Sequence, residues 1–497
     1  MHLIKFFCSL FFSFCLTAAF SQGQVLEYPL SDEQLNDVRT SLLSDSNGNL
    51  LVHIRHSSGS TGVVLRNGID STILYDSKIL LAEKKSEEAK NLKKLRKEQL
   101  LSVLYADGIL AECYYSKSKN TIFFTETGSV CEHTCITDVL PLRENEKVAT
   151  VVEDNGSIYV LSYLEESNIL YLGVKKPGSR LSRIEKTIFV NNYTGGSKKS
   201  IPLFSDFFKS KKKGFYFVYD NSHPYPSSLS AVKEKIYHFP GKLIFSMENY
   251  NLQTNLIDLS LKDLSYEFYI MPAPVLFSPT DNPAELATSS FLVNDILFKS
   301  GGYNDIFFIT ATNIYTGQVY CNYGIHTNKP ELIANTAFFR DAKYNKLAEK
   351  KRKKLDKYLE FSAIGVSHAG GKLYDIEISA LDYGSDWGQF LLSFALSAAG
   401  TSINVQPKIY GSSIFYMLST QKKLTIKNTL DINTGNFVHQ ITDTLSTDIW
   451  EAKLETVNDF VKIEEAQKRK VTTSIFKDIV YVSYIDTKEK KLFVYKF

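Results

Sequence analysis

Residues 154–174 read DNGSIYVLSYLEESNILYLGV, and this stretch decides the class of fold. Asn155-Gly156 is a turn signal, and residues 157–163 after it are rich in β-branched and aromatic side chains. Residues 165–168 form a second polar turn, and residues 169–174 repeat the apolar pattern. The stretch therefore predicts a β-hairpin that a tight turn precedes.

The same pattern recurs along the chain. A polar residue and a glycine precede a short apolar strand at Gly48, Gly108, Gly156, Gly214 and Gly371. The first four of these glycines are 60, 48 and 58 residues apart, which suits one four-stranded unit with its loops. Further strand pairs are predicted at residues 305–312 with 318–322, 413–418 with 424–432, and 479–485 with 492–497. Because strands and helices do not alternate, we expect an all-β protein.

In this recurrence the chain resembles a β-propeller, in which a tight turn leads into a strand once per blade. The resemblance covers most of residues 24–497 and implies about seven blades, with six or eight as alternatives. WD40 repeats carry a repeated Trp-Asp signal, which is missing here, since Asp386-Trp387 occurs once and in the reverse order, and the double glycines lack the spacing of Kelch repeats. No specific propeller family is therefore indicated. Residues 24–28 are expected to pair beside the final strand, 492–497, and so close the ring.

The alternative fold is two stacked β domains. Its boundary would lie in a segment that is rich in proline, namely Pro272, Pro274, Pro279 and Pro283. The composition excludes a chain that is disordered throughout, because 44% of its 497 residues are hydrophobic and 22% are charged.

The amino terminus predicts export. Lys5 precedes an apolar run over residues 6–20, and Ala19-Phe20-Ser21 offers small residues for cleavage. Residues 1–21 are therefore a predicted signal peptide, and the protein is expected to be secreted, periplasmic or at the cell surface. The apolar run 390–399 is about half as long as a membrane span. We expect a short buried helix there, with a helix that dips into the membrane as the alternative.

Two charged segments interrupt the strand pattern. Residues 82–99 and 341–359 lack Gly and Pro, and their apolar residues recur at helical spacing, so both are predicted helical insertions. Their candidate partner-binding residues are basic: Lys93, Lys94, Arg96, Lys97, Lys350, Lys351, Arg352, Lys353 and Lys354. They suit an acidic protein, an anionic glycan or lipid headgroups, and the alternative is a solvated face that maintains solubility. Export argues against a nucleic-acid partner.

Four cysteines remain beyond the signal peptide, and two of them are close together. Cys131 and Cys135 flank His133, and in an exported protein they are predicted to form a local disulfide or to remain free buried thiols. A metal site is the alternative, but a tetrahedral site needs a fourth ligand that the local sequence does not supply.

Catalytic signatures are weak. Residues 365–369 (GVSHA) resemble a nucleophile elbow, but a turn and a strand follow, so Ser367 is expected in a hairpin. His53 and His56 are three apart in a predicted strand, so they face opposite sides and cannot share a metal. A loop that combines acidic and aromatic residues is a candidate glycan-binding site: Asp382, Tyr383, Asp386 and Trp387.

These patterns together predict an exported, monomeric, non-catalytic binding or scaffold protein that needs no cofactor and recognises a protein or glycan. One alternative is a glycan-active hydrolase or lyase on the same fold, for which carboxylates from several blades would have to converge. Another is an envelope-associated structural protein with peripheral membrane contact.

Overall fold

The structure is a computed structural model. It describes residues 23–35, 38–44, 50–56, 59–66, 70–78, 91–92, 94–95, 98–128, 131–188, 207, 218–220, 234–248, 253–271, 287–303, 306–326, 362–381, 422–438, 446–467, 469–476 and 479–497. These residues are mostly in β-strands, which confirms the predicted all-β class. No helix in the described part of the chain is both long and apolar enough to cross a membrane.

The described strands form seven small sheets, each built almost entirely from consecutive segments of the chain. The chain begins with β1 (Gly23–Pro29) and helix α1 (Asp32–Leu35). The first sheet contains β2 (Arg39–Ser44), β3 (Leu50–His56), β4 (Gly59–Arg66) and β5 (Asp70–Lys78). The second contains β6 (Gln99–Ala106), β7 (Ile109–Ser116), β8 (Thr121–Gly128) and β9 (Cys131–Pro141). The third contains β10 (Glu146–Asp154), β11 (Ser157–Leu164), β12 (Ile169–Lys175) and β13 (Ser182–Thr187).

The remaining sheets follow in the same order. The fourth has five strands, β14 (Val218–Asp220), β15 (Glu234–Phe239), β16 (Lys242–Glu248), β17 (Thr254–Ser260) and β18 (Tyr266–Met271). The fifth contains β19 (Ala287–Val293), β20 (Ile296–Tyr303), β21 (Ile306–Asn313) and β22 (Val319–His326). The sixth contains β23 (Ser362–Gly370), β24 (Leu373–Leu381), β25 (Lys422–Asp431) and β26 (Asn436–Val438). Helix α2 (Ser446–Ala466) precedes the seventh sheet, which contains β27 (Lys470–Phe476), β28 (Ile479–Asp486) and β29 (Lys491–Lys496).

Tight turns join the first two long strands of the second to the sixth sheet. Gly108, Gly156 and Gly371 have φ of +79°, +68° and +57°, a region in which only residues without a bulky Cβ are comfortable, so the predicted glycine turns are confirmed there. Gly48 and Gly214 lie outside the described residues. In the fifth sheet Asn294 takes this place with φ +54°, because its short polar side chain tolerates the left-handed conformation.

The two ends of the described chain share one sheet. Strand β1 pairs antiparallel with β29, in the order β1-β29-β28-β27, and confirms the predicted pairing of residues 24–28. Lys491 Nζ lies 2.6 Å from Glu27 Oε1 across this pair. From the first sheet to the sixth, each sheet packs against the next through strand contacts or a shared apolar core, and a helix joins the sixth sheet to the seventh. Strand β27 of the last sheet contacts β2 of the first. This arrangement is a β-propeller-like fold.

Apolar side chains fill the spaces between neighbouring sheets. One core joins the fourth, fifth and sixth sheets and includes Tyr237, Phe291 and Ile376. In the sequence Tyr237 precedes and Phe291 follows the proline-rich segment 272–286, and their ring centres lie 5.6 Å apart. Because the core is continuous across that segment, the packing favours one domain over two stacked ones.

Helix α2 lies between the sixth and seventh sheets, and the sequence patterns did not predict it. It contacts β23 and β24 on one side and β27 and β28 on the other. Val457 and Val461 are buried one turn apart, and the Phe460 ring lies 5.0 Å from that of Tyr495. Arg469 just beyond the helix binds Asp486 at 2.6 Å and fixes the helix end to β28.

The predicted insertion at residues 82–99 needs one correction. Residues 91–92 and 94–95 are helical, and Leu92 and Leu95 are buried. Gln99 belongs to strand β6 rather than to a helix, because its backbone pairs with Tyr115 of β7. Residues 79–90 and the whole of 341–359 lie outside the described residues, so the extent of both insertions stays a prediction.

Candidate functional site

Most residues that the sequence singled out lie outside the described part of the chain. This holds for Lys350, Lys351, Arg352, Lys353 and Lys354, and for Asp382, Tyr383, Asp386 and Trp387. In the first insertion Lys94 is exposed on a helical segment, and the side chains of Lys93, Arg96 and Lys97 are outside the described set. The binding roles of all these residues therefore stay predictions.

The cysteines and Ser367 can be placed. Cys135 is disulfide-bonded, and the side chain of Cys131 lies outside the described set, so their mutual pairing stays a prediction. Cys113 and Cys321 are free and buried, and burial raises the pKa of the Cys321 thiol to about 11, which makes it a poor nucleophile. Ser367 lies within β23 and pairs with Asp375 of β24, as expected of a hairpin serine.

His53 has a partner that the sequence did not suggest. Its Nε2 lies 2.9 Å from Glu112 Oε1 of the second sheet, and both side chains are buried. Tyr114 OH and Thr125 Oγ1 each donate a hydrogen bond to the same carboxylate at 2.9 Å. This network joins two sheets and is closed to solvent, so it supports the fold rather than a ligand site.

The interface between the fourth and fifth sheets ends in two polar clusters. Along β16 and β17 alternate side chains face the fifth sheet, and Ile244 and Leu256 form the apolar middle of this face. Their neighbours Leu243, Phe245 and Leu259 face the third sheet instead. The two ends of the strands carry charged residues on the same face. We call them the Glu248 cluster and the Tyr315 cluster.

The Glu248 cluster is buried. Glu248 accepts hydrogen bonds from Ser290 N at 2.7 Å, Ser290 Oγ at 2.9 Å and Thr288 Oγ1 at 3.0 Å. Lys235 Nζ lies 3.2 Å from the same carboxylate. Lys299 on β20 is 2% exposed, and burial lowers its pKa to about 8, although the charge of Glu248 acts to raise it. This cluster fixes one sheet to the next, and the side chains of Lys235, Glu248 and Lys299 are almost fully buried.

The Tyr315 cluster is open to solvent at the other end of the interface. Tyr315, in the turn after β21, donates a hydrogen bond through its hydroxyl to Asp258 Oδ2 at 2.9 Å. Lys242 Nζ lies 2.8 Å from the same oxygen, contacts the Tyr315 hydroxyl, and is 4.8 Å from the centre of the Tyr315 ring. Asn313 Oδ1 accepts hydrogen bonds from the backbone N–H groups of Tyr315 and Thr316, which fixes the turn.

Strand β18 completes this cluster. Tyr269 and Glu267 lie two residues apart, so they share one face of the strand, and their side chains are hydrogen-bonded to each other. The Tyr269 ring is 5.4 Å from the Tyr315 ring at 84°, an edge-to-face pair. Asp258 and Glu267 are direct cross-strand partners in β17 and β18. The Tyr315 residue is 40% exposed, so a rigid aromatic surface beside two carboxylates faces solvent.

Burial and the polar partners of Lys242 shift its pKa in opposite directions. Burial acts to lower its pKa, but hydrogen bonds to Asp258 and Tyr315 outweigh burial, and the pKa is raised. Burial raises the pKa of Tyr315 and Tyr269, so both hydroxyls keep their protons at neutral pH. The formal charge of Lys242, Asp258 and Glu267 together is therefore −1. In the described residues no group of three or more His, Cys, Asp or Glu is placed to hold a metal.

Comparison with known proteins assigns no function to the chain. No family model and no curated protein matches the chain. Among solved structures, the WD40 domain of SCAP from fission yeast is 9% identical, with 96% of this chain and 90% of that one covered and a TM-score of 0.29. An Aleuria aurantia lectin mutant bound to Fucalpha1-6GlcNAc is 10% identical, with 70% and 89% covered and a TM-score of 0.23. Such scores transfer no function, and the fold assignment rests on the strand pairing.

Proposed function

We propose that the protein is an exported, non-catalytic binding module built as a seven-bladed β-propeller, and that it recognises its partner through the Tyr315 cluster. The blade number is supported by seven sheets in chain order, in which neighbours among the first six pack against one another through strand contacts or a shared apolar core, and α2 joins the sixth to the seventh. Export rests on the predicted signal peptide at residues 1–21.

The single observation that carries the binding role is the exposure of the Tyr315 cluster. Charged networks such as Lys175 with Glu126 and Asp138 lie largely buried between sheets, where they hold the blades together. The pair of Arg143 with Glu185 is exposed, but the Tyr171 ring beneath Arg143 is buried. The Tyr315 cluster instead presents two aromatic rings and a Lys–Asp pair to solvent. Exposed rings in a fixed orientation lose little side-chain entropy when a partner binds, so they suit recognition.

Export and binding need separate experiments. Expression of the full chain with a carboxy-terminal tag, followed by fractionation and amino-terminal sequencing, tests export, and a processed protein that starts near Gln22 is expected. An uncleaved protein in the cytoplasm would contradict the proposed export.

For binding, glycan and peptide arrays are probed with the purified wild type, Tyr315→Ala and the matched control Tyr105→Ala on the second sheet. Only Tyr315→Ala is expected to lose the wild-type signals, and wild-type signals that survive in it would contradict the role of this cluster.

A further inference from the structure

The shape of the Tyr315 cluster suits a ligand that has both an apolar face and a rim of hydroxyl groups. The Tyr315 ring is held in place through its hydroxyl, because Asp258 and Lys242 both contact that oxygen. Tyr269 meets it nearly at a right angle, so the two rings form a rigid corner. Carboxylate oxygens border this corner and accept hydrogen bonds from hydroxyl groups.

The charge of the cluster restricts the ligand further. Lys242 is the one cation among its three charged residues, and Asp258 already binds it at 2.8 Å. The remaining formal charge of −1 comes from the two carboxylates that face each other across β17 and β18. An anionic ligand would meet repulsion from these groups and would have to separate Lys242 from Asp258. A neutral ligand meets neither obstacle.

The extent of exposed apolar surface distinguishes a small ligand from a protein. Val319 of β22, close to the Tyr315 turn, is a large apolar side chain with 56% exposure. Ile270 is 43% exposed, but it alternates with Tyr269 along β18 and therefore points to the opposite face. A stable protein interface buries roughly 800 Å² on each partner around a continuous core. In the described part of the chain, exposed Val319 and the partly buried Phe239 ring beside Lys242 supply at most a small apolar surface, which better fits a few sugar rings.

We infer that the Tyr315 cluster binds a neutral oligosaccharide. The apolar face of one sugar ring stacks on Tyr315, while Asp258 and Glu267 accept hydrogen bonds from its hydroxyl groups. This inference rests on the proposed function and names the ligand class of the same site. The basic segments 82–99 and 341–359 suggest an anionic partner, whereas the ligand inferred for the Tyr315 cluster is neutral.

The test is an array of neutral hexose oligosaccharides, uronic-acid oligosaccharides and sulfated oligosaccharides, followed by calorimetry on the neutral sugar that gives the strongest signal. We expect the wild type to bind neutral sugars, Tyr315→Ala to weaken that binding about tenfold or more, and Glu267→Gln to weaken it about threefold to tenfold. Tyr105→Ala is the matched control and should bind as the wild type does. Thermal unfolding of each variant confirms that it is folded.

Preferential binding to uronic-acid or sulfated sugars that is lost in Tyr315→Ala would overturn the inference and leave the proposed function standing. Peptide-array signals that depend on Tyr315, without binding to any sugar, would have the same consequence. Absence of any binding that depends on Tyr315 would overturn both. Release of new reducing ends from the bound sugar, abolished in Glu267→Gln, would contradict the non-catalytic role.

Discussion

The two polar ends of the interface between the fourth and fifth sheets contain similar groups in different surroundings. Each end has lysine beside a carboxylate, at Lys235 with Glu248 and at Lys242 with Asp258. In the Glu248 cluster the groups are almost fully buried, and burial lowers the pKa of Lys299 to about 8. In the Tyr315 cluster hydrogen bonds outweigh burial and raise the pKa of Lys242.

This difference separates two roles that the sequence does not distinguish. A buried charge costs stability unless it is paired. Substitutions that unpair a charge in the Glu248 cluster are therefore expected to lower the free energy of unfolding. A charge at the surface is screened by water and contributes little to stability. Substitutions in the Tyr315 cluster are therefore expected to change binding more than they change the free energy of unfolding. Variants that change one end at a time test this division.

The largest effect is expected from removal of the Glu248 charge. Glu248→Gln leaves Lys235 and Lys299 buried beside a neutral amide, and we expect the free energy of unfolding to fall by about 3–5 kcal/mol. Urea denaturation measures the change. The matched control is Glu267→Gln in the exposed cluster, which is expected to cost about 0.5 kcal/mol or less. Similar losses in both variants would contradict the contrast between the two ends.

The second effect is a dependence on pH that comes from Lys299. Its pKa is about 8 in the folded protein and about 10.4 in the unfolded chain, so the unfolded chain binds more protons between these values. The stability of the wild type relative to Lys299→Met should therefore rise as pH increases from 8 to 10.4. The full rise is on the order of 3 kcal/mol. Urea unfolding of both proteins at pH 7, 8, 9 and 10 measures it, and a flat difference would show that Lys299 is not desolvated.

A smaller effect of the opposite sign is expected at Lys242. Because its pKa is raised, the stability from its proton is present below pH 10.4 and is lost as pH rises through the raised pKa. Lys242→Met should cost at most about 1 kcal/mol at pH 7, since the side chain is partly exposed. Sodium chloride at about 0.5 M should reduce this cost by screening. A cost that is insensitive to salt would place Lys242 with the buried groups.

Sequence patterns predicted the parts of the fold that depend on local conformation. The turns at Gly108 and Gly156 were found because a positive φ demands glycine, whereas the turn at Asn294 was missed because asparagine satisfies the same demand without being diagnostic. Helix α2 was missed although Val457 and Val461 have helical spacing, because these β-branched residues also suit a strand.

The candidate site could not be predicted from local patterns. Lys242 and Tyr315 are 73 residues apart and meet because two sheets pack face to face. The one available signal was Tyr315 itself, an aromatic residue in the short turn between two predicted strands, where burial of its ring is not expected. The buried lysine Lys299 was hidden in the same way, since its strand (ILFKSGGY) does not reveal which sheet covers it.

The most direct test of the division between the two ends compares stability and sugar affinity in the same two variants. Urea denaturation and calorimetry with the neutral oligosaccharide chosen from the array are applied to Tyr315→Ala and Lys299→Met. We predict that Tyr315→Ala weakens sugar binding about tenfold or more with a loss of stability near 1 kcal/mol, while Lys299→Met changes stability and its pH dependence without altering affinity. Affinity that falls in Lys299→Met as much as in Tyr315→Ala would contradict the account.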